Sequence, residues 1–302
     1  MVHPLLWVPI TLVAAGAQVL RNGAQAHLTN KIGTLGATQV RFVFGLPFAA
    51  MFLLAALTVA DAGMPSFDSF ALAWTVAGAV CQIGATAVML FVMGRRAFGV
   101  AYAYIKTEPV LVALLGVLLL GDHLPLLAWL AVGIVTAGVL FASVKPGEFG
   151  VLLGEGKMIL LGVLSGGLFG LSSIAYRGAI GALPEGGFVV RALSVLVVTL
   201  TIQTVLLGTW LAWRQREAFI GSLREWRQSF GAGFMGAFSS ACFFAAFALT
   251  PAANVRTLAL VELPLAAALS GRLSGKAMAR HELVGIGIIM AGVALLLASY
   301  AP

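Results

Sequence analysis

Six ionisable side chains stand inside otherwise apolar runs of this 302-residue chain: Arg41, Lys106, Glu108, Arg191, Arg256 and Glu262. Each costs at least about 2.5–3.5 kcal/mol at a lipid-facing helix centre, so such groups usually face a bundle interior or a wet cavity. Tyr102 and Lys106, four apart, share one face of a continuous helix, and Tyr104 and Glu108 share nearly the opposite one. The consistent picture turns Tyr102, Lys106 and Arg256 toward a pathway. Glu108 and Glu262 then tie helices together beside kinks at Pro109 and Pro264. The plainer alternative pairs Lys106 or Arg256 with the carboxylates and lets Arg41 and Arg191 snorkel to the interface. Gln18 and Gln82 are lone polar residues in apolar runs, read either as interhelical hydrogen bonds or as substrate contacts.

Four bases against two acids leave this interior formally positive, which disfavours a cation and suits a carboxylate. Lys106, Arg256 and the Tyr102 hydroxyl are the expected anion contacts, with Arg41, Arg191, Gln18 and Gln82 as further candidates. The sequence contains no Gly-rich phosphate loop with its lysine and no nucleophile elbow. His3, His27, His123 and His281 are too scattered for a metal site. No catalytic residue, metal or cofactor is therefore expected, and an embedded enzyme is the remote alternative.

The elements that position these groups follow from composition. The chain is 61% hydrophobic and 10% charged, with a mean hydropathy of +1.03. A soluble domain carries roughly 25% charged residues. A porin-like barrel alternates polar and apolar residues and lacks apolar runs of this length. The remaining class is an all-α integral membrane protein. Its net charge of +7 sits mostly between apolar runs, where bilayer orientation accounts for it, so the lipid bilayer and a small molecule are the expected partners, not nucleic acid. A homo-oligomer is compatible with these features. Cys81 and Cys242 fall inside apolar runs and read as free thiols. Leu5–Leu20 has no basic residue before it and Arg21 after it, the reverse of a cleaved signal, so it reads as a retained first span.

Spans need about 20 mostly apolar residues. That rule predicts ten, at 5–25, 35–60, 70–93, 97–120, 125–144, 157–180, 187–213, 230–249, 253–271 and 282–300. The chain also repeats itself. A shift of 154 carries Glu108 onto Glu262, Gly133 onto Gly287 and Gly138 onto Gly292. Arg41 follows Gly36 by five residues, as Arg191 follows Gly186. The expected organisation is a five-helix repeat at 1–145, a joint at 146–156 and a second five-helix repeat at 157–302. An odd number of spans per repeat inverts one half relative to the other. Thirteen Lys and Arg residues fall in loops after odd-numbered spans, Arg21 and Lys31 among them, against Arg177 alone on the other side. The positive-inside rule then places both termini outside.

TEPVLVALLGVLLLGDHLPLLAWLAVGIVTAGVLF and its echo VELPLAAALSGRL…VGIGIIMAGVALLL resemble the EamA-type transporters of the drug/metabolite transporter superfamily. The resemblance covers essentially the whole chain. It implies a ten-helix alternating-access carrier in a bacterial-type inner membrane, with a cavity lined by spans one to four and six to nine. Members export amino acids and other metabolites; relatives move sugars, nucleotide-sugars and drugs, so a lipophilic-cation exporter is the alternative within the superfamily. Two features depart from the family. The first span lacks the common Trp-Gly pair, and the loop after the second span is acidic where many members are basic with cytoplasmic termini.

Overall fold

The computed structural model describes residues 3–93, 105–143, 156–266, 268 and 279–300, and every regular element among them is an α-helix. In chain order these are α1 (Trp7–Val43), α2 (Gly45–Ala60), α3 (Ser69–Met93), α4 (Glu108–Leu120), α5 (Leu126–Ser143), α6 (Gly156–Ala182), α7 (Phe188–Arg214), α8 (Arg216–Arg224), α9 (Trp226–Phe247), α10 (Ala252–Ala259) and α11 (Arg280–Ala298). Among the described residues, seven helical stretches are long and apolar enough to cross a bilayer, one of them running Leu35–Ala60 through the α1–α2 junction. Large apolar side chains such as Val59, Leu118 and Leu126 point outward, as a lipid-facing surface requires and a water-facing one avoids. The chain is a multi-pass membrane protein.

Three local features differ from the sequence reading. The interval 26–34 is helical rather than a loop: α1 runs on to Val43, with one break at Gly33 (φ 71°, ψ 170°). That backbone region is open to glycine and strained for residues with a Cβ. Arg21 is accordingly a buried helix residue, 7% exposed. The fourth and ninth spans are not continuous helices. A two-residue turn at Lys106–Thr107 precedes α4, and another at Leu260–Val261 follows α10. Finally, α8 is a short helix where a simple connection was expected.

The chain divides into two compact units, each drawing on both sequence halves. The first comprises Met1–Ile83 and Ala175–Leu249. Here α1 lies along α9, while α2 packs on α7 and α9. A Cβ built at Gly233 would stand 2.5 Å from that of Phe44, so a hydrogen at this position is what lets the α1–α2 junction touch α9. An edge-to-face ladder joins α2 to α9, with Phe48 4.8 Å from Phe230 and 5.2 Å from Phe234 between ring centres.

The second unit comprises Gly84–Ile174 and Thr250–Pro302. In it α11 lies along α5, and α4 packs on α10 and α5. Gly138, Gly285 and Gly292 bring the α5 and α11 backbones together. A Cβ on Gly285 would meet the Ala142 nitrogen at 2.6 Å, and one on Gly292 the Val135 nitrogen at 3.0 Å.

Candidate functional site

The second unit gathers four of the six intramembrane ionisable groups. The turn at Lys106–Thr107 hands the chain to α4, whose first residue is Glu108, with Pro109 in its first turn. Proline suits that place, since a first-turn N–H has no helical acceptor. The turn at Leu260–Val261 likewise releases the chain into a helical segment that begins at Glu262, followed by Pro264. Each carboxylate therefore sits at a helix start, where unpartnered N–H groups and the helix dipole favour negative charge. Gly166 of α6 makes room for the first of these turns: a Cβ there would lie 2.5 Å from the Ile105 carbonyl oxygen.

The acids and bases are paired crosswise. Lys106 Nζ stands 2.5 Å from Glu262 Oε1. Arg256 Nε stands 2.9 Å from Glu108 Oε1 while donating its hydrogen to Ser173 Oγ at 2.8 Å. Glu108 and Glu262 are 6% and 5% exposed, and the two bases are little more open. Removing two charges from water costs several kcal/mol per ion, which only close opposite charges offset.

This arrangement corrects one expectation. The assignment of Lys106 and Glu108 to different faces required a continuous helix through both; the turn between them brings both into one cluster. The cluster's two bases balance its two acids, so the surplus positive charge counted over all six groups rests on Arg41 and Arg191 in the first unit. Glu108 and Glu262 do tie elements together, but with Lys106 and Arg256 as their partners. Tyr102, the third expected contact, lies outside the described residues.

The first unit holds the remaining candidates. Gln82 of α3 belongs to a buried network: its Oε1 accepts from Gln203 Nε2 of α7 at 2.7 Å and from the Tyr176 hydroxyl of α6 at 3.2 Å. Gln203 also donates to the Tyr176 oxygen at 3.3 Å. The Tyr176 ring rests on Gly78, where a Cβ would come within 2.5 Å of it, and lies 4.6 Å from the Phe244 ring. This is the interhelical hydrogen bonding that a lone glutamine in an apolar run can signal. Gln18 is half-buried in α1.

Arg41 is half-buried near the end of α1, its guanidinium 5.7 Å from the Phe42 ring centre. Its stem and that of Arg21 both lie over Gly236 of α9, 3.5 and 3.4 Å from where a Cβ would stand. Arg191 donates to the Leu183 carbonyl oxygen at 3.5 Å and Arg177 to that of Phe247 at 3.1 Å. These carbonyls follow or end α6 and α9, so both arginines satisfy C-terminal acceptors that helices leave open. Cys81 and Cys242 are free thiols, partly buried.

The sequence reading missed Ser173, Tyr176, Gln203 and Arg21. Gln203 carries the same signal that singled out Gln18 and Gln82, an amide within an apolar run. Arg21 was hidden because hydropathy falls across Arg21–Asn22 although the helix continues.

Comparison with known proteins places this geometry. Residues 156–298 match the EamA-like transporter family. No curated protein matches the chain. One solved crystal structure shares the fold at 15% identity, with a TM-score of 0.70 over 97% of this chain and 99% of that one. Residues 156–298 are thus similar to an EamA-like transporter domain of the drug/metabolite transporter superfamily.

Proposed function

We propose that this protein is a secondary carrier that moves a small carboxylate-bearing metabolite, an amino acid or an organic acid, across a bacterial-type inner membrane by alternating access. It does so with ten crossings arranged as two inverted five-helix repeats. The observation that carries this reading is the matched pair of helix breaks at Lys106–Thr107 and Leu260–Val261, each opening onto a buried glutamate that faces a base from the other half. Broken helices at equivalent places in two repeats are where carriers of this general plan build their binding sites.

The chemistry follows from exchange within the pairs. An incoming carboxylate presents Lys106 with the same group that Glu262 already offers, so it can replace Glu262 at that base, and Glu262 then needs a new cation. A substrate that also bears an ammonium can meet the released Glu262, which favours an amino acid within the proposed class. Both carboxylates already hold cations, which gives lipophilic-cation export less support.

Sealed proteoliposomes test the proposal. Vesicles preloaded with unlabelled amino acids or organic acids should accumulate the labelled compound by counterflow. Chemical conversion without movement across the bilayer would identify an embedded enzyme instead. Movement of quaternary ammonium compounds alone would select the drug-exporting alternative.

A further inference from the structure

The first unit holds a cavity of about 540 Å³ that has no part in the ion-pair cluster. Lys31 and Ile32 of α1 form one side, and Arg214, Arg216, Glu217 and Gly221, at the end of α7 and along α8, form the other. Three bases and one acid leave it net positive. Lys31 also reaches Glu225 at 3.4 Å and donates to Gln228 Oε1 at 3.2 Å, with the Lys31 and Glu225 side chains 40% and 32% exposed, and pairs this open to water hold their charges only weakly.

The surroundings are apolar and outward-facing. Trp213 is 77% exposed and Trp226 54%. The Arg214 guanidinium lies 4.4 Å from the Trp213 ring centre and that of Arg227 5.5 Å from the Trp226 ring centre. Ile220 and Leu223 of α8 are also exposed, between the basic ends Arg216 and Arg224. Tryptophans beside arginines mark the level where hydrocarbon gives way to headgroups, and a short helix with basic ends and apolar residues between them suits that plane.

We infer that this cavity binds the phosphate headgroup of an anionic phospholipid, held by Lys31, Arg214 and Arg216, with the acyl chains lying against Trp213, Ile220 and Leu223. A free phosphate satisfies the bases equally, but it leaves the exposed apolar rim unexplained. The site is independent of the transported solute, since none of its residues belongs to the proposed substrate contacts.

The test uses the full chain in nanodiscs of phosphatidylcholine with and without about a third phosphatidylglycerol, followed by native mass spectrometry of retained lipid. The wild type should keep phosphatidylglycerol in preference to phosphatidylcholine. A base near an anionic membrane surface contributes about 1 kcal/mol, so each of Arg214→Ala and Arg216→Ala should weaken retention by about fivefold. Both positions are exposed, so the variants should fold, and unchanged melting in phosphatidylcholine alone would verify it. Equal retention of the two lipids by the wild type, or undiminished retention by the double variant, would overturn the proposal. Displacement by soluble glycerol phosphate at concentrations like those of the lipid would also overturn it, by showing a site for a free anion.

Discussion

Glu108 and Glu262, 154 residues apart in sequence, each hold a cation supplied by the opposite half of the chain: Arg256 lies beside the first and Lys106 beside the second. The two bases are not themselves equivalent under the repeat. The same shift carries Lys106 to Leu260 and Arg256 back to Tyr102. The carboxylates are thus the shared feature of the repeat, and each half has found its own base to neutralise the other's acid.

That exchange makes the pairs testable by a double-mutant cycle. Lys106→Met or Glu262→Gln alone leaves a buried charge without its partner and should destabilise the protein by about 3–5 kcal/mol. The combined Lys106→Met/Glu262→Gln variant removes both charges and should recover most of the loss. Thermal melting of purified protein reads both. Additive losses in the double variant would show that the two groups do not depend on each other.

That the chain is a set of apolar membrane helices was legible, because apolar runs report lipid exposure and glycine spacing reports close approach. Which base meets which acid was not. A helical period assigns faces only while the helix continues, and the residues at Lys106–Thr107 and Leu260–Val261 carry no turn signal of their own. Pro109 and Pro264 do mark these places, but a proline in a first turn and a proline at a kink look alike in sequence. The Gln82–Gln203–Tyr176 network shows the opposite case. Of its members only Gln82 was singled out; Gln203 and Tyr176 also stand in apolar runs, and only the fold says that the three meet.

Gln203→Leu should destabilise the first unit by about 1–3 kcal/mol, because Gln82 and Tyr176 lose a donor in a site closed to water. Melting temperature is the readout. A neutral result would show that water or a rearranged amide takes the place of Gln203.

Glycine-mediated contact between α5 and α11 predicts a sharp positional contrast. Gly285→Leu places a side chain against the Ala142 backbone and should cost about 1–3 kcal/mol or more through overpacking. Gly287→Leu, on the same helix with nothing within 4 Å of its Cβ position, should fold normally. Folded yield after size-exclusion chromatography compares them, and equal yields would contradict the packing described.

The bias of basic residues predicts that both termini lie outside. Helix α1 takes in both Arg21 and Lys31, which removes two of the thirteen loop bases, and eleven against Arg177 still point the same way. Reporter fusions after Pro302 should give an external signal. A cytoplasmic one would show that this chain follows the commoner orientation of the superfamily it resembles.

The role of Lys106 in substrate recognition needs a variant that stays folded. Lys106→Met by itself strands Glu262, so weak binding there would confuse misfolding with lost recognition. The neutral Lys106→Met/Glu262→Gln pair separates the two: it removes the cation proposed to receive the substrate carboxylate while sparing the fold a bare charge. A hydrogen bond to a charged group contributes about 1.5–3 kcal/mol, so this variant should bind a carboxylate-bearing solute at least about tenfold more weakly than the wild type. Lys106→Arg retains the charge and should lose far less. Ligand-induced stabilisation of purified protein across amino acids, organic acids and quaternary ammonium compounds measures all three proteins on one scale. Carboxylate binding that survives in the neutral pair would remove Lys106 from the site. Tight binding of a quaternary ammonium compound by the wild type, undiminished in that pair, would go further and set aside the carboxylate as the recognised group.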